Sequence, residues 1–457
     1  LKAQTPDPYM LASQFLVDSY LVRKTKLYGK QYALRWWRGD YYVYRDGSYE
    51  RLPDSEIQAD VAGYLHAQGA RVSRHLIGSI MLSMNHITRI DARQELDTWI
   101  DGSGGSEVMV AKNGNIDFGE IDKATGRPRL RPHSPLYFSK ARLPYEYDPA
   151  ADCPLWRDFL DDVMKGDTEY MLLLKQWAGY LLRRDLREHK FLLATGEGSN
   201  GKGVLFEVLE AMIGAPNCSH VPLARFGNPF ALYATLGKRA NITAETIHVI
   251  EEQAEALLKS FVAGDAMTFE RKFKEPVEAV PTAKVMIATN AAPRFNDKTF
   301  GLWRRLLLVP FKKTIPANKQ IKGLARELKG ELPGILNWAI DGLASLNVND
   351  GFSMPAAHEQ RLEEYRRDSD PARAFLLEHY EESPGSESIV TTEIYAEYSR
   401  WCEANGCRPM NERTFGQHVR RIFPGAERAR VGPRDARRRI YRGIASAVSH
   451  VSHAFLI

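Results

Sequence analysis

The residues of this 457-residue chain best suited to chemistry are Gly196-Glu197-Gly198-Ser199-Asn200-Gly201-Lys202, a GxxxxGK spacing. Glycines in such a run let the backbone fold tightly enough for its N–H groups to face phosphate oxygens, and the lysine brings a positive charge to them. The run follows the apolar stretch FLLA and precedes VLFEVLEAMIG, whose apolar residues recur at helical spacing. The loop therefore joins a strand to a helix, whose N-terminus adds positive potential. A plain glycine turn is the alternative, and the flanking strand and helix argue against it. Gly203 stands where a Ser or Thr hydroxyl usually binds Mg2+, so the ion must lean on other ligands and water.

A phosphate loop alone does not separate a kinase from a motor, and three later features bear on that choice. KRANITAE is a short apolar strand ending in Glu245, a carboxylate able to hold Mg2+ and polarise an attacking water. KVMIATN places Asn290 at the tip of an apolar strand, where its amide can position a γ-phosphate or a water. The plain alternatives are a surface carboxylate and a strand-ending turn residue. Arg304 and Arg305, in GLWRR before the strand LLLVPF, suit an arginine finger that reaches a neighbouring subunit's ATP.

Two segments are strongly basic. Thr268 to Val277 reads as two strand-like halves around the tip Arg271-Lys272-Phe273-Lys274, with a solvated charged turn as the alternative. Between Asn411 and Arg442 ten arginines, among them Arg420, Arg421, Arg437, Arg438 and Arg439, face three acidic residues. That density is repulsive unless something anionic lies near. A candidate recognition helix from Thr414 to Ile422 followed by a basic ribbon ending RRRIYRG resembles a winged helix, in which a helix enters a groove and the wing contacts backbone.

The elements that must position these residues follow from length and pattern. A chain this long divides into two to four domains. Residues 1–150 mix strand, hairpin-turn and helix patterns as an N-terminal α+β domain, and 151–188 are helical. Residues 189–315 alternate short apolar strands with helices as an α/β core, 316–369 are helical again, and 370–457 form the basic module. Composition, 44% hydrophobic and 26% charged, is that of a soluble globular protein. No apolar run approaches a bilayer span and no signal pattern opens the chain, so no membrane association and a cytoplasmic location are expected. Four scattered cysteines agree with a reducing compartment, and Cys402, Cys407 and His418 fit no common zinc spacing. A net charge of +5 permits nucleic-acid binding without arguing it. The chain opens on Leu1 rather than Met, as a piece of something longer would.

Lys202, Glu245, Asn290 and Trp303-Arg304-Arg305, in this order and spacing, resemble the superfamily 3 helicases, and among them the phage, plasmid and poxvirus primase-helicase family. The resemblance extends through NGNIDF, RPHSPLYFSKARLPYEYDP and LLKQWAGYLL upstream, and ELPGILNWAIDGL and VTTEIYAEYSRWCEANG downstream, from about residue 35 to 443. It implies an AAA+-like P-loop core in a homo-oligomeric ring, a hexamer in the family, that hydrolyses ATP with Mg2+ at subunit interfaces. It also implies translocation on single-stranded DNA and action on forks, with the Arg271-Lys272-Phe273-Lys274 hairpin in the ring channel and Lys259 matching a basic position that senses nucleotide. A primase or polymerase partner is a further expectation, because no paired-acid polymerase motif is visible. The rival readings are an ATP-dependent initiator or loader without processive unwinding and, motivated by Gly203, a DNA-binding scaffold with a degenerate nucleotide site.

Overall fold

The computed structural model describes residues 7–25, 29–103, 107–245, 250–272, 274–290, 293, 295, 300–385, 388–405, 409–431, 433 and 437–447. The side chains of residues 23–25, 29, 30, 245, 300 and 367–369 are outside that description. The chain forms two compact units: residues 1–245, 256–290 and 304–355 make the first, and 246–255, 291–303 and 356–457 the second.

The first unit begins with α1 (Pro8–Tyr20), the antiparallel meander β1 (Leu34–Trp37), β2 (Asp40–Arg45) and β3 (Ser48–Leu52), then α2 (Asp54–Ala67) and α3 (Arg74–Thr88). Two-residue turns at Arg38-Gly39 and Asp46-Gly47, all four with positive φ, fold the meander. Phe15, Leu34, Val43, Val61 and Met84 share its core. A second meander, β4 (Val108–Ala111), β5 (Gly114–Ile121) and β6 (Pro128–Arg131), precedes α4 (Pro154–Met164) and α5 (Thr168–Leu182). The segment expected to be helical, 151–188, forms two helices because Lys165 and Gly166 are left-handed and Asp167 caps the next helix through Tyr170 N–H.

The phosphate-loop region is an α/β layer of β7 (Phe191–Thr195), α6 (Lys202–Ile213), β8 (Cys218–Ser219), β9 (Ala240–Glu245), α7 (Glu252–Ala263), the hairpin β10 (Met267–Arg271) and β11 (Lys274–Ala279), β12 (Lys284–Thr289) and β13 (Leu306–Pro310). Five of these strands form one parallel sheet in the order β8-β9-β12-β7-β13. Strands β7, β12 and β13 are buried on both faces, which explains why they read as apolar runs. After the sheet, α8 (Leu332–Val348) lies directly against α5. A Cβ on Gly179 would meet Leu343 N at 2.2 Å and one on Gly342 would meet Lys175 O at 1.9 Å, so only glycine permits this backbone contact.

The second unit contains α9 (His358–Ser369), α10 (Pro371–His379), β14 (Tyr380–Glu382), β15 (Ile389–Val390), α11 (Thr391–Ala404), α12 (Glu412–Ile422), β16 (Glu427–Val431), β17 (Arg438–Arg442) and β18 (Ile444–Ser446). The ribbon β16–β17 extends to β15, and β14 pairs with β18. Phe375, Ile394, Tyr398, Phe415, Val419 and Tyr441 form its core, with Tyr398 and Phe415 stacked 4.5 Å apart. Cys402 is buried within it, and Cys407 lies outside the described residues. Pro293, Phe295 and Trp303 also belong to this unit: Trp303 packs edge-on to Tyr365 of α9, whose hydroxyl donates to Pro293 O.

Candidate functional site

The parallel sheet brings three of the expected groups to one edge. Thr195, which ends β7, is in register with Thr289, which ends β12, and Thr289 is in register with Glu245, which ends β9. The residues that follow Thr195 and Thr289 are Gly196 and Asn290, so the loop, the carboxylate position and the amide meet where the strand carboxyl ends open. Ligands of open α/β sheets bind at such an edge. The Glu245 side chain lies outside the described residues.

The loop itself has the backbone its glycines predict. Gly196 has φ +150° and Gly201 φ +89°, and Ser199 between them is also left-handed. A Cβ on Gly196 would meet Phe311 O at 2.4 Å, and one on Gly201 would meet Val163 Cγ1 at 2.7 Å. Left-handed residues within such a turn are the backbone ingredient of anion-binding concavities. The loop is pinned from β13 and the chain beyond it, where Phe311 N–H donates to Thr195 O and Ile315 N–H to Ser199 O, both at 2.7 Å. Glu197, Gly198 and Ser199 are exposed, whereas Asn200 is buried.

Lys202, the first residue of α6, is only 5% exposed. Its ammonium donates to Gly196 O at 2.6 Å, Asn200 Oδ1 at 3.0 Å and Asn290 Oδ1 at 3.4 Å, so it links the loop to the tip of β12. Burial lowers its pKa below the ordinary lysine value. A cation already removed from water and held only by neutral oxygens gains when anionic oxygens approach, because opposite charges attract more strongly where water is excluded. These residues fit the phosphates of a nucleotide. At Gly203 a Cβ would meet nothing within 4 Å, so packing does not demand glycine there.

Arg304 and Arg305 are elsewhere. Their carbonyls accept from Lys190 Nζ at 2.5 Å and Phe191 N–H at 2.9 Å, which puts them at the amino end of β13, where Leu306 is in register with Phe191. Five residues of β7 separate that edge from the loop, roughly 16 Å at about 3.3 Å per residue. Arg304 is exposed and Arg305 half-buried. Lys259 is half-buried on α7.

The basic hairpin forms as the sequence suggests, with Arg271 opposite Lys274, while Phe273 lies outside the described residues and Lys272 is exposed. Arg271 and Lys274 do not stand free: both donate to Asp40, the first residue of β2, Arg271 Nη2 to Oδ2 at 2.5 Å and Lys274 Nζ to Oδ1 at 2.7 Å. Burial pushes the Asp40 carboxyl up, but the hydrogen bonds of Lys274 and Arg51 outweigh it and hold the carboxyl below its ordinary value. Nothing near Asp40 in sequence announces this role, since its partners are 231 and 234 residues away.

In the second unit Arg420, Arg437, Arg438 and Arg439 are exposed, the last three on or beside β17. Arg421 is held by Asp370, its Nη2 3.2 Å from Oδ2. Asp370 caps α10 through Arg373 N–H and faces the buried His418 ring at 3.3 Å. Burial raises the Asp370 carboxyl, and His418 together with the Arg373 N–H more than reverses this. Among the described residues no cluster of three metal-ligating side chains occurs, and no helix is long and apolar enough to cross a membrane.

Three family descriptions match parts of the chain: a family of unknown function (DUF5906) over residues 194–305, the RFX DNA-binding domain over 370–447, and a D5 N terminal like family over 104–165. The chain is 32% identical over 121 residues to an uncharacterized mitochondrial protein, ymf21, of Marchantia polymorpha, covering 24% of this chain and 66% of that one. It is 24% identical over 244 residues to the putative helicase L207/L206 of Acanthamoeba polyphaga mimivirus, covering 48% of this chain and 25% of that one. The chain thus spans less than two-thirds of either relative. The D5-type segment and the viral helicase relative support kinship with phage and viral primase-helicases. Solved structures of the NrS-1 C terminal region share the fold of this chain, one with TM-score 0.52 and 11% identity over 96% of this chain and 99% of that one, another with TM-score 0.51 and 12% identity over 96% and 100%. The 194–305 match runs from the phosphate loop to the paired arginines, and the 370–447 match takes in the arginine-rich ribbon.

Proposed function

We propose that this chain is the motor of a DNA replication helicase, a superfamily 3, AAA+-like ATPase that acts as a ring, most simply a hexamer, on single-stranded and forked DNA. The observation that carries the reading is the convergence of the Gly196–Lys202 loop, Glu245 and Asn290 at the carboxyl edge of one parallel sheet, with Lys202 bonded to both the loop and Asn290. In this reading the loop N–H groups and Lys202 hold the β/γ-phosphates of ATP, Glu245 orients the attacking water, and Asn290 fixes the γ-phosphate. Mg2+, when bound, neutralises charge on the phosphate oxygens, and Glu245 is the protein group assigned to it. Gly203 supplies no hydroxyl for the ion.

Arg304 and Arg305, on the opposite edge of the sheet, are too far from their own loop to serve it. We assign one of them to the γ-phosphate of a neighbouring subunit, which makes hydrolysis depend on assembly. Lys259 is assigned a nucleotide-sensing role. The hairpin tip, Arg271, Lys272, Phe273 and Lys274, and the basic face of the C-terminal module, with Arg420, Arg421, Arg437, Arg438 and Arg439 in a winged-helix arrangement, supply the DNA contacts. A separate primase or polymerase is the partner such a motor would serve.

The test is strand displacement from a labelled fork with ATP and Mg2+. Wild-type protein is expected to hydrolyse ATP, faster with single strands, and to release the strand, while Lys202→Ala does neither. ATP hydrolysis stimulated by DNA with no displacement on any fork would favour a loader, and no hydrolysis at all would favour a scaffold.

A further inference from the structure

The Asp40 contact lies outside everything the motor reading assigns. Its Oδ2 accepts from Arg271 Nη2 at 2.5 Å, and its Oδ1 accepts from Lys274 Nζ and lies 2.7 Å from Arg51 Nη2. The flanking carbonyls join in: Arg271 Nη1 donates to Arg38 O at 2.8 Å, and Lys274 Nζ to Gly39 O at 3.0 Å. The turn between β1 and β2 thus presents one anionic group and two further oxygens to the hairpin tip, an acceptor set that resembles a backbone phosphate. The Asp40 side chain is 4% exposed and Arg271 9%, so this guanidinium is committed to the turn and presents little to a strand. Arg38, Arg51, Arg271 and Lys274 outnumber the carboxylates of Asp40, Glu275 and Glu278, so the neighbourhood keeps a small positive excess that attracts a polyanion.

We propose, resting on the reading of the hairpin as a strand-binding element, that Asp40 competes internally with nucleic-acid phosphate for Arg271 and Lys274. The N-terminal meander holds the hairpin tip in a closed state, and the phosphates of an entering single strand replace Asp40 and release it. The N-terminal module is then a gate on DNA engagement rather than a passive support. Exchange is feasible because one charge-assisted acceptor replaces another of the same kind.

The test uses the full chain, a fluorescent oligo-dT strand and a salt series. Asp40→Asn keeps the shape of the turn and removes its charge, leaving weaker neutral hydrogen bonds, and is expected to tighten strand binding about tenfold at low salt. In an Arg271→Ala/Lys274→Ala background the same substitution should change nothing, since the competed groups are gone. If that background weakens wild-type binding while Asp40→Asn binds no tighter than wild type, the gate is overturned and the strand-binding hairpin stands. If the background binds as wild type does, the hairpin is not on the DNA path and both ideas fall. Should Asp40→Asn melt early, hydrogen exchange on the unaltered protein decides: amides of the Arg38-Gly39-Asp40 turn should exchange faster with the strand bound, and unchanged or slower exchange overturns the proposal.

Discussion

Arg239→Met is expected to destabilise the first unit by about 3–5 kcal/mol, the usual cost of removing one partner from a buried ionic group. Arg239 leads into β9 and is 1% exposed. Its Nη2 lies 2.7 Å from Asp97 Oδ2, its Nη1 lies 3.6 Å from Glu107 Oε1, and it donates to Leu182 O at 3.1 Å. Its backbone carbonyl accepts from Lys284 N–H at 3.0 Å, so it also ties β9 to β12 at the amino end of the sheet. Methionine fills a similar volume but leaves Asp97 and Glu107 without their shared cation. That loss is large against a total stability of about 5–15 kcal/mol.

The pH dependence gives the prediction its sign. Burial raises the Glu107 carboxyl, with Arg239 and Lys284 pulling it partly back, so the variant should raise it further. A carboxyl raised on folding adds stability below its unfolded pKa and gives it up as pH climbs through the folded value. The cost of Arg239→Met should therefore be full at mildly alkaline pH and shrink as Glu107 protonates. Burial pushes the Lys284 ammonium down to about 7, with Arg239 adding repulsion. Its own contribution is complete above the ordinary lysine value and is lost as pH falls toward about 7. Removing Arg239 lifts that depression and softens the acid loss, in the same direction as Glu107. Urea unfolding followed by tryptophan fluorescence, for both proteins at about pH 8 and about pH 5.5, measures the difference. A loss under about 1 kcal/mol at the higher pH, or a larger loss at the lower one, would refute the reasoning.

Two further outcomes concern the nucleotide edge. Glu245→Gln should bind ATP with near-wild-type affinity, read by a fluorescent analogue, while turnover falls by about 100-fold or more, since the amide keeps the shape without the charge; equal loss of both would make Glu245 structural. Gly203→Ser should fold, because its Cβ meets nothing within 4 Å. Its helix-propensity change should add about 0.5 kcal/mol to thermal stability, and the Mg2+ concentration for half-maximal hydrolysis should fall; an unchanged requirement would mean that the hydroxyl does not reach the ion.

What the sequence made legible was local. The loop could be read because glycine spacing, a preceding apolar strand and a following helix are all contiguous in the chain, and β7, β12 and β13 because strands buried on both faces show as apolar runs. Asp40 could not be read, because a charged residue beside a hairpin turn looks solvated and its partners Arg271 and Lys274 are more than 230 residues away. Arg239, beside Lys238 before a strand, carries no local sign of burial either, although its ion pair with Asp97 lies inside the fold. The break between α4 and α5 was hidden by apolar periodicity that resumes after Lys165 and Gly166. The composition of the second unit, which takes in residues 291–303 as well as the basic module, has no sequence signature either, since Phe295 and Trp303 meet Tyr365 only in the fold.

The most direct test of an ATP-driven ring is hydrolysis by mixed assemblies. Arg304→Ala, Arg305→Ala and Lys202→Ala proteins are each prepared alone, and ATPase is then measured as either arginine variant is titrated into Lys202→Ala. The account predicts that Lys202→Ala and at least one arginine variant are inactive alone while both still assemble, and that the mixture recovers part of the wild-type rate where an intact arginine meets an intact loop. Full activity in both arginine variants alone, or no recovery at any ratio in mixtures shown to co-assemble, would contradict a site shared between subunits.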